Sequence, residues 1–329
     1  MTIPQGSADP PVVPPDAIAE YQRDGVACLR QLFSTEWIEH LQTAVDEVLR
    51  DERNEDLEVY TPKGEAGRFC GEMDCSRKYP AFQHFVLASP AAFIAAQVMR
   101  ADRCNFFYDF LFVKEPNTAQ RTVWHQDLPY WAVHGDQICS IWLPLDPVPQ
   151  STCLEFVRGS HKWGKAFAPF RFADGQVYPG MENGLLPRVP DIENNRGDYD
   201  ILSYDMQLGD CLVFNAKMLH SAPPNASHTL RRRAFSTRWM GEDARFDLPA
   251  GEARGYPNFD VALCQGGEMT CKAFPVVWPP SHPDVTKYPV SSSLPKTASL
   301  LQPFDGYLEL RKRQALKYSQ KEQKEMGMH

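Results

Sequence analysis

The tetrapeptide Trp124-His125-Gln126-Asp127 holds the side chains of this sequence best suited to bind a metal ion. Side chains alternate between the two faces of a β-strand, so His125 and Asp127 can point to one side and share a metal. His220 is the best candidate for a third ligand, because it follows a β-like run at 211–215. Two imidazoles and one carboxylate leave three open positions on an octahedral metal, the arrangement of non-haem Fe(II) oxygenases. Three other imidazoles remain as rivals, those of His134, His161 and His228.

Three consecutive arginines, at positions 231–233, follow the distal histidine and open a β-like run that ends at Trp239. An iron site that activates oxygen with a keto-acid cosubstrate needs a buried cation for the far carboxylate of that acid. Arginine is suited to this task because it stays protonated and forms bidentate hydrogen bonds. A zinc-dependent hydrolase could use the same two histidines and aspartate, but it would not need a buried arginine after them. The arginine run therefore favours the oxygenase.

Several motifs, in this order and spacing, resemble the phytanoyl-CoA dioxygenase family of Fe(II)/2-oxoglutarate-dependent oxygenases. The resemblance spans residues 16–280 and is carried by the segments FLFVKEP (110–116), WHQDLPYW (124–131), IWLPLD (141–146), LEFVRGSHKWG (154–164), LGDCLVFNAKMLHSAPPN (208–225) and RRRAFSTRW (231–239). It implies a mainly β fold with helical decoration, built on a double-stranded β-helix (jelly-roll, cupin-like) core. It also implies that His125, Asp127 and His220 bind catalytic Fe(II), and that 2-oxoglutarate and O2 are cosubstrates, with ascorbate in a supporting role.

The same resemblance places an arginine for 2-oxoglutarate about eleven residues after the distal histidine, which would be Arg231. Alignment of the following strand through Ala234 and Trp239 selects Arg232 instead. We favour Arg232, because strand register decides which face a side chain occupies. Three further positions match the cosubstrate pocket of relatives, namely Trp142, Tyr108 and Lys114.

Four residues are candidates for substrate binding: Gln126, Tyr130, Trp131 and Trp163. Gln126 would point away from the metal ligands in a regular strand, so it is assigned to the substrate side or to a supporting position. The aromatic residues suit a hydrophobic or cationic small molecule. Related halogenases have a small residue in place of the iron carboxylate, so the presence of Asp127 disfavours halogenation.

The reaction implied by the resemblance is oxidation of a C–H bond, most often hydroxylation, coupled to decarboxylation of 2-oxoglutarate to succinate. A small organic metabolite is the favoured substrate. An acyl-CoA would need a dense basic cluster for its phosphates, and Lys162, Lys165 and Arg171 do not form one. The alternatives are an acyl-CoA 2-hydroxylase of the same family and a non-catalytic cupin-like protein that binds a metal or ligand. A monomer or homodimer is expected.

The composition limits the partners and the compartment of the chain. Its 329 residues contain 34 basic and 42 acidic side chains, a net charge of −8, which argues against nucleic acid or an anionic membrane as a partner. No apolar run reaches the length of a membrane span, and the start of the chain does not resemble a signal peptide. Nine scattered cysteines without a metal or disulfide spacing indicate reduced thiols. A cytoplasmic protein is expected.

Hydrophobic periodicity predicts the elements that would position these residues. Residues 1–15 are expected to form a flexible arm. Helices are predicted from Asp16 through Tyr21, from a cap at Ser34, and over 91–100, and residues 51–78 are read as irregular. Strands are predicted at 104–114, 121–125, 137–145, 153–157, 201–204, 210–215 and 232–239. The expected domain covers 16–280 with a long insertion at 160–200, followed over 281–329 by a proline-rich wrap and a charged helix.

Overall fold

The helices and strands are those of a computed structural model that describes residue 4 and residues 11–51, 54–170, 186–247 and 263–279. The helices of this part of the chain are α1 (Pro15–Asp24), α2 (Thr35–Arg50), α3 (Cys75–Lys78), α4 (Pro80–Ala88) and α5 (Ala91–Met99). The strands are β1 (Val26–Leu29), β2 (Glu58–Val59), β3 (Phe69–Met73), β4 (Cys104–Lys114), β5 (Thr122–His125), β6 (Val133–His134), β7 (Ile138–Pro144), β8 (Glu155–Val157), β9 (Ile201–Leu202), β10 (Cys211–Asn215), β11 (His220–Ala222), β12 (Arg232–Met240), β13 (Arg245–Phe246) and β14 (Val276–Trp278).

The larger sheet is antiparallel and has the strand order β1-β10-β7-β12-β4-β3-β2, with β14 also paired to β4. Strand alternation gives this sheet two different faces. On β12, Phe235 and Trp239 belong to the core under the helices, whereas Ala234 belongs to the core between the sheets. We call these the outer face and the inner face of the sheet.

A second antiparallel sheet, in the order β5-β11-β8-β9, covers the inner face. Phe156 and Ala222 of this sheet pack in one cluster with Trp142, Leu212 and Phe214 of the larger one. Strands β6 and β13 form a separate two-stranded ribbon. Two facing antiparallel sheets with helices on one side are the jelly-roll class predicted from the sequence, and that prediction is confirmed.

Helices α1, α2, α4 and α5 contribute to the core on the outer face. α2 is amphipathic and buries one stripe, which includes Trp37, Leu41 and Val45, as its three- and four-residue spacing predicts. α5 is apolar on nearly all sides and almost wholly buried. Within the described residues no single helix could cross a membrane; only α4 and α5 taken together, across a bend of 45°, have the length and composition.

The predicted strands from 104 onward are confirmed within one or two residues, but three predictions on the N-terminal side were wrong in detail. Asp16 does not cap α1; the cap position is Pro14, and Asp16 lies in the first turn. Ser34 is the cap residue of α2, although its side chain makes no capping hydrogen bond. The stretch 51–78 is not irregular throughout, because it contains β2, β3 and α3.

The remaining boundary predictions fall wholly or partly outside the described residues. The charged C-terminal segment 281–329 lies outside them, as does 171–185 within the insertion 160–200. At the predicted N-terminal arm, Val13 is buried and its backbone N–H donates to Gln97 Oε1 at 3.0 Å. Strand β14, which precedes the predicted proline-rich wrap, pairs with β4.

Candidate metal centre and cosubstrate pocket

Pairing between two strands of the smaller sheet brings the predicted metal ligands together. His125 ends β5 and His220 begins β11, and the two residues are direct cross-strand partners. Asp127 follows β5 at the start of a short 3-10 turn, Leu128–Tyr130. Each of the three residues offers one ligand atom, and these atoms lie within 4.8 Å of one another. All three side chains are buried.

The two imidazoles present their Nε2 atoms to a common point. His125 Nδ1 lies 2.8 Å from the carbonyl oxygen of Val123, and His220 Nδ1 lies 3.0 Å from that of Met218. A carbonyl oxygen can only accept, so each Nδ1 carries the hydrogen and each Nε2 keeps its lone pair for a metal. The two Nε2 atoms are 3.6 Å and 3.7 Å from Asp127 Oδ1. The donor set therefore fits a divalent metal with open positions.

Asp127 is held in its ionised form by its surroundings. Burial alone would raise the pKa of this carboxyl, but His220, His125 and Arg238 together lower it below its ordinary value. The hydroxyl of Ser140 donates to Asp127 Oδ2 at 2.9 Å, so that Oδ1 is the oxygen nearer to the imidazoles. Burial and then the neighbouring His125 lower the pKa of His220 to about 4, which keeps this imidazole neutral at pH 7.

The three rival histidines lie apart from this cluster. Among the described residues, His125, Asp127 and His220 are the group of three with the geometry of a metal site. His134 is exposed on β6, and His228 is exposed beside Asn117. His161 is half-buried near Gly25 and Met218.

The inner face of the larger sheet carries the residues predicted for the cosubstrate. Arg232 and Lys114 are cross-strand partners on β12 and β4, and both are buried. Arg232 donates to the carbonyl oxygens of Thr152 and Pro223, and Lys114 donates to those of Gln120, Ala222 and Pro223. No carboxylate of the described residues forms an ion pair with either cation.

Burial without an acidic partner is expensive for a cation, and both groups show it. Desolvation lowers the pKa of Arg232 to about 10. Desolvation, followed by the charge of Arg232, lowers the pKa of Lys114 well below its ordinary value. The buried positive charge of Arg232 is therefore suited to receive an anion. Trp142, also buried, stands on the same face of β7 and contributes to the core between the sheets.

The two arginines beside Arg232 have acidic partners. Arg231 is 39% exposed and pairs with Glu115 and Asp46. Arg233 points to the outer face and pairs with Asp146 at 2.7 Å and with Asp46 at 3.1 Å. The choice of Arg232 over Arg231 therefore has geometric support.

The predicted substrate residues are placed in three different ways. Trp131 is buried and donates from Nε1 to the hydroxyl of Tyr108 at 2.9 Å. Tyr130 lies edge-on to His125, with ring centroids 5.9 Å apart, and its hydroxyl is bonded to both the N–H and the C=O of Phe170. Trp163 is 37% exposed, lies beside Tyr199 and does not join the buried cluster.

The side chain of Gln126 forms hydrogen bonds to loop residues near the metal ligands. Its side-chain amide donates to the carbonyl oxygens of Lys165 and Lys217, and its Oε1 accepts from the N–H of Phe167. These three bonds occupy the amide, so Gln126 ties the start of the insertion to the strand that carries His125. The expectation that Gln126 turns away from the metal ligands agrees with this placement.

Two inner-face residues were missed by the sequence analysis, Ser140 and Arg238. Both follow from strand alternation, because Ser140 is two residues before Trp142 and Arg238 is six residues after Arg232. Ser140 and Arg238 are themselves cross-strand partners. The signal was therefore present in the register of two strands that had already been predicted.

A family model and solved structures match this chain. The model described as Phytanoyl-CoA dioxygenase (PhyH) matches residues 21–234. A search of curated proteins gave no match.

Three similar structures illustrate the fold. The alpha ketoglutarate dependent carbocyclase SnoK from nogalamycin biosynthesis is 19% identical, with a TM-score of 0.61 over 80% of this chain and 96% of that chain. The epimerase SnoN, in complex with Fe3+, alpha ketoglutarate and nogalamycin RO, is 18% identical, with a TM-score of 0.59 over 80% and 97%. EvdO2 from Micromonospora carbonacea var. aurantiaca, complexed with 2-oxoglutarate, is 20% identical, with a TM-score of 0.53 over 75% and 96%.

At these identities the neighbours show the fold, and the family model carries the assignment. It covers nearly two thirds of the chain and includes all three metal ligands and Arg232. The predicted cofactors, Fe(II) and 2-oxoglutarate, are confirmed together with the family. The chain belongs to the phytanoyl-CoA dioxygenase family of Fe(II)/2-oxoglutarate-dependent oxygenases.

Proposed function

We propose that this protein hydroxylates a C–H bond of a small organic metabolite while 2-oxoglutarate is decarboxylated to succinate. The observation that carries the proposal is the combination of two sites on facing sheets. The buried cluster of His125, Asp127 and His220 has three neutral or anionic ligand atoms for iron. The buried Arg232 has no acidic partner among the described residues and can receive the far carboxylate of the keto acid.

The chain supplies position, charge and a dry environment for this reaction. Fe(II) and 2-oxoglutarate, when bound, supply the activation of O2 that the side chains cannot provide. His125, His220 and Asp127 would hold the metal, and the hydrogen bond from Ser140 keeps the aspartate oriented. Arg232, with Lys114 beside it, would hold the cosubstrate, and Trp142 lies on the same face. Tyr130 and Trp131 are proposed as the wall on the substrate side. Tyr108 was predicted for the cosubstrate pocket, but we place it with this wall because its hydroxyl accepts from Trp131.

The alternatives are less well supported by the same observations. A non-catalytic metal-binding protein does not need a buried, uncompensated arginine, which carries a cost unless it binds something. An acyl-CoA substrate would need exposed basic groups near the mouth. Of the two described candidates, Lys162 already donates to the carbonyl oxygen of Arg23, and Lys165 is an exposed lysine; two such residues do not make a dense basic cluster.

The test is a metabolite screen that follows succinate and product mass together. We expect substrate-dependent succinate release that requires Fe(II), 2-oxoglutarate and O2, and a product that is heavier by one oxygen atom. Zn(II) in place of Fe(II) should give neither. Succinate release with a product of unchanged or lower mass would contradict hydroxylation and indicate epimerisation, cyclisation or desaturation. Turnover of a substrate with Zn(II) and without 2-oxoglutarate would contradict the reaction class.

A further inference from the structure

Arg238 is a second buried guanidinium on the inner face, and the far carboxylate of the cosubstrate, which Arg232 would hold, does not account for it. It lies on β12 with Arg232, six residues further along, and is only 5% exposed. At about 3.3 Å per residue, the two Cα atoms are about 20 Å apart. A five-carbon diacid that is bound to the metal and to Arg232 would have both carboxylates engaged, and only the uncoordinated oxygen of the metal-bound carboxylate would remain as an acceptor near Arg238.

The hydrogen-bonding capacity of Arg238 is largely unused. Its Nη1 donates to the carbonyl oxygen of Ser236 at 2.9 Å, and its Nε is buried without a hydrogen-bond partner in the part of the chain that the structure describes. Its guanidinium carbon lies 4.8 Å from the ring centre of Tyr108. Among the described residues no carboxylate lies within 4 Å of it. A planar cation with free donors and one aromatic face covered is suited to bidentate carboxylate binding.

The register places Arg238 level with the metal site. Its cross-strand partners are Ser140, which bonds Asp127, and Tyr108, which bonds Trp131. Arg238 also contributes to the lowered pKa of Asp127, so the two charges act on each other. Arg232 and Arg238 therefore lie on the same face of β12, near opposite ends of the strand. The metal ligands lie beside Arg238.

The charge balance of the loaded pocket indicates what the free donors would take. Fe(II) and doubly charged 2-oxoglutarate neutralise each other, and Asp127 offsets one of the two guanidinium charges. One positive charge remains on the inner face, and a protonated Lys114 would add a second. A low-dielectric site with an excess positive charge favours an anion over a neutral or cationic molecule.

We propose that Arg238 binds a carboxylate group of the organic substrate and so selects small monocarboxylic acids with an apolar or aromatic body. The inference rests on the proposed function, since it assumes that Fe(II) and 2-oxoglutarate occupy the same pocket. It makes Arg238 a specificity residue, with Tyr108 and Trp131 next to the body of the bound acid.

The test measures carboxylate binding rather than turnover. The protein is loaded with Fe(II) and saturating 2-oxoglutarate with oxygen excluded, and benzoate or acetate is titrated in a calorimeter. Benzamide serves as a neutral probe of similar shape. We expect at least one of the two carboxylates to bind the unmodified protein and to lose affinity by about tenfold or more in Arg238→Gln. Arg238→Lys should retain part of that affinity, because it keeps the charge without the planar fork.

Two controls separate binding from structure. Benzamide affinity should be the same in all variants, and Arg158→Gln, which changes an exposed arginine paired with Asp24 and Asp200, should leave carboxylate affinity unchanged. Should Arg238→Gln not load Fe(II), the comparison between the unmodified protein and Arg238→Lys decides, with a loss of about threefold or more expected for the carboxylate alone.

Several outcomes would overturn the inference. Equal carboxylate affinity with and without Arg238, or no carboxylate-specific binding to the unmodified protein, would do so. A loss of 2-oxoglutarate affinity in Arg238→Gln as large as the loss of carboxylate affinity would instead assign Arg238 to the cosubstrate. A protein that binds neither Fe(II) nor 2-oxoglutarate would contradict the proposed function itself, which the loading step measures first.

Discussion

Arg232 and Arg233 are neighbours in one strand, yet they lie in opposite electrostatic surroundings. Arg233 is on the outer face, where Asp146 and Asp46 compensate its charge. Arg232 is on the inner face, where its hydrogen-bond acceptors are backbone carbonyls and no described carboxylate pairs with it. Arg238, on the inner face as well, also lacks such a partner.

The contrast distinguishes charged side chains that stabilise the fold from charged side chains that are available to bind a ligand. A buried cation without a counter-charge costs free energy, so a fold that only needed rigidity would pair it or replace it. On the outer face, Arg233 is paired with acidic residues, as expected from this cost. The inner face departs from that expectation at Arg232 and Arg238, beside a cluster of metal ligands. Departures of this kind are expected where a protein binds something.

The largest effect is expected from removing the negative charge of Asp127, which lies opposite the inner face beside Ser140. Asp127→Asn should lower Fe(II)-dependent succinate formation by about a hundredfold or more, because an open iron site depends on each of its three protein ligands. The matched outer-face variant, Asp146→Asn, should keep Fe(II) binding. Succinate release and Fe(II) affinity are measured for both. Equal turnover in the two variants would remove Asp127 from the metal site.

A second expected effect concerns stability and has opposite signs on the two faces. Arg233→Gln should lower the free energy of unfolding by about 2 kcal/mol, because it leaves Asp146 without its cation. Arg232→Gln should leave that free energy unchanged or raise it in the absence of ligands, because it removes an uncompensated buried charge. Urea unfolding of both variants gives the comparison. A loss of stability in Arg232→Gln as large as in Arg233→Gln would show that Arg232 has a structural role.

The smallest effect concerns Asp109, a buried acid on the outer face of β4. Burial, with the nearby charge of Asp74, raises its pKa to about 6, against about 3.9 in an unfolded chain. The folded protein therefore binds this proton more tightly, and the contribution of Asp109 to stability improves as the pH falls from 7 towards 4. Asp109→Asn should raise the free energy of unfolding at pH 7 by about 1–2 kcal/mol, and by less at pH 5. A gain that is the same at both pH values would contradict the raised pKa.

Local spacing was sufficient to predict that His125 and Asp127 could share a metal, whereas His220 and the preference for Arg232 also depended on the family resemblance. His125 and Asp127 are two residues apart, and the register of β12 follows from its own alternation. Strand alternation would also have placed Ser140 and Arg238 on the inner face, although neither residue was predicted. In each of these cases the information lies within a single strand or one strand pair.

Contacts between distant segments could not be predicted in the same way. The bonds from Gln126 join it to loops that are 39 and 91 residues away. Strand β3 was missed because it contains Gly71, a residue that weakens a strand pattern. The glycine is needed there: a Cβ atom would lie 2.6 Å from Phe110 Cε1 and 2.8 Å from the carbonyl oxygen of Leu111. Such close packing is a tertiary property that the local pattern does not contain.

The affinity of the Fe(II)-loaded protein for 2-oxoglutarate, measured by calorimetry with oxygen excluded, tests the central claim most directly. A lost bidentate ion pair in a desolvated pocket costs about 2–5 kcal/mol, so Arg232→Gln should weaken 2-oxoglutarate binding by about thirtyfold or more. Arg231→Gln and Arg233→Gln should change it by less than about fivefold, because their charges are compensated elsewhere. A large loss in Arg231→Gln with none in Arg232→Gln would contradict the assignment of the inner face as the cosubstrate site.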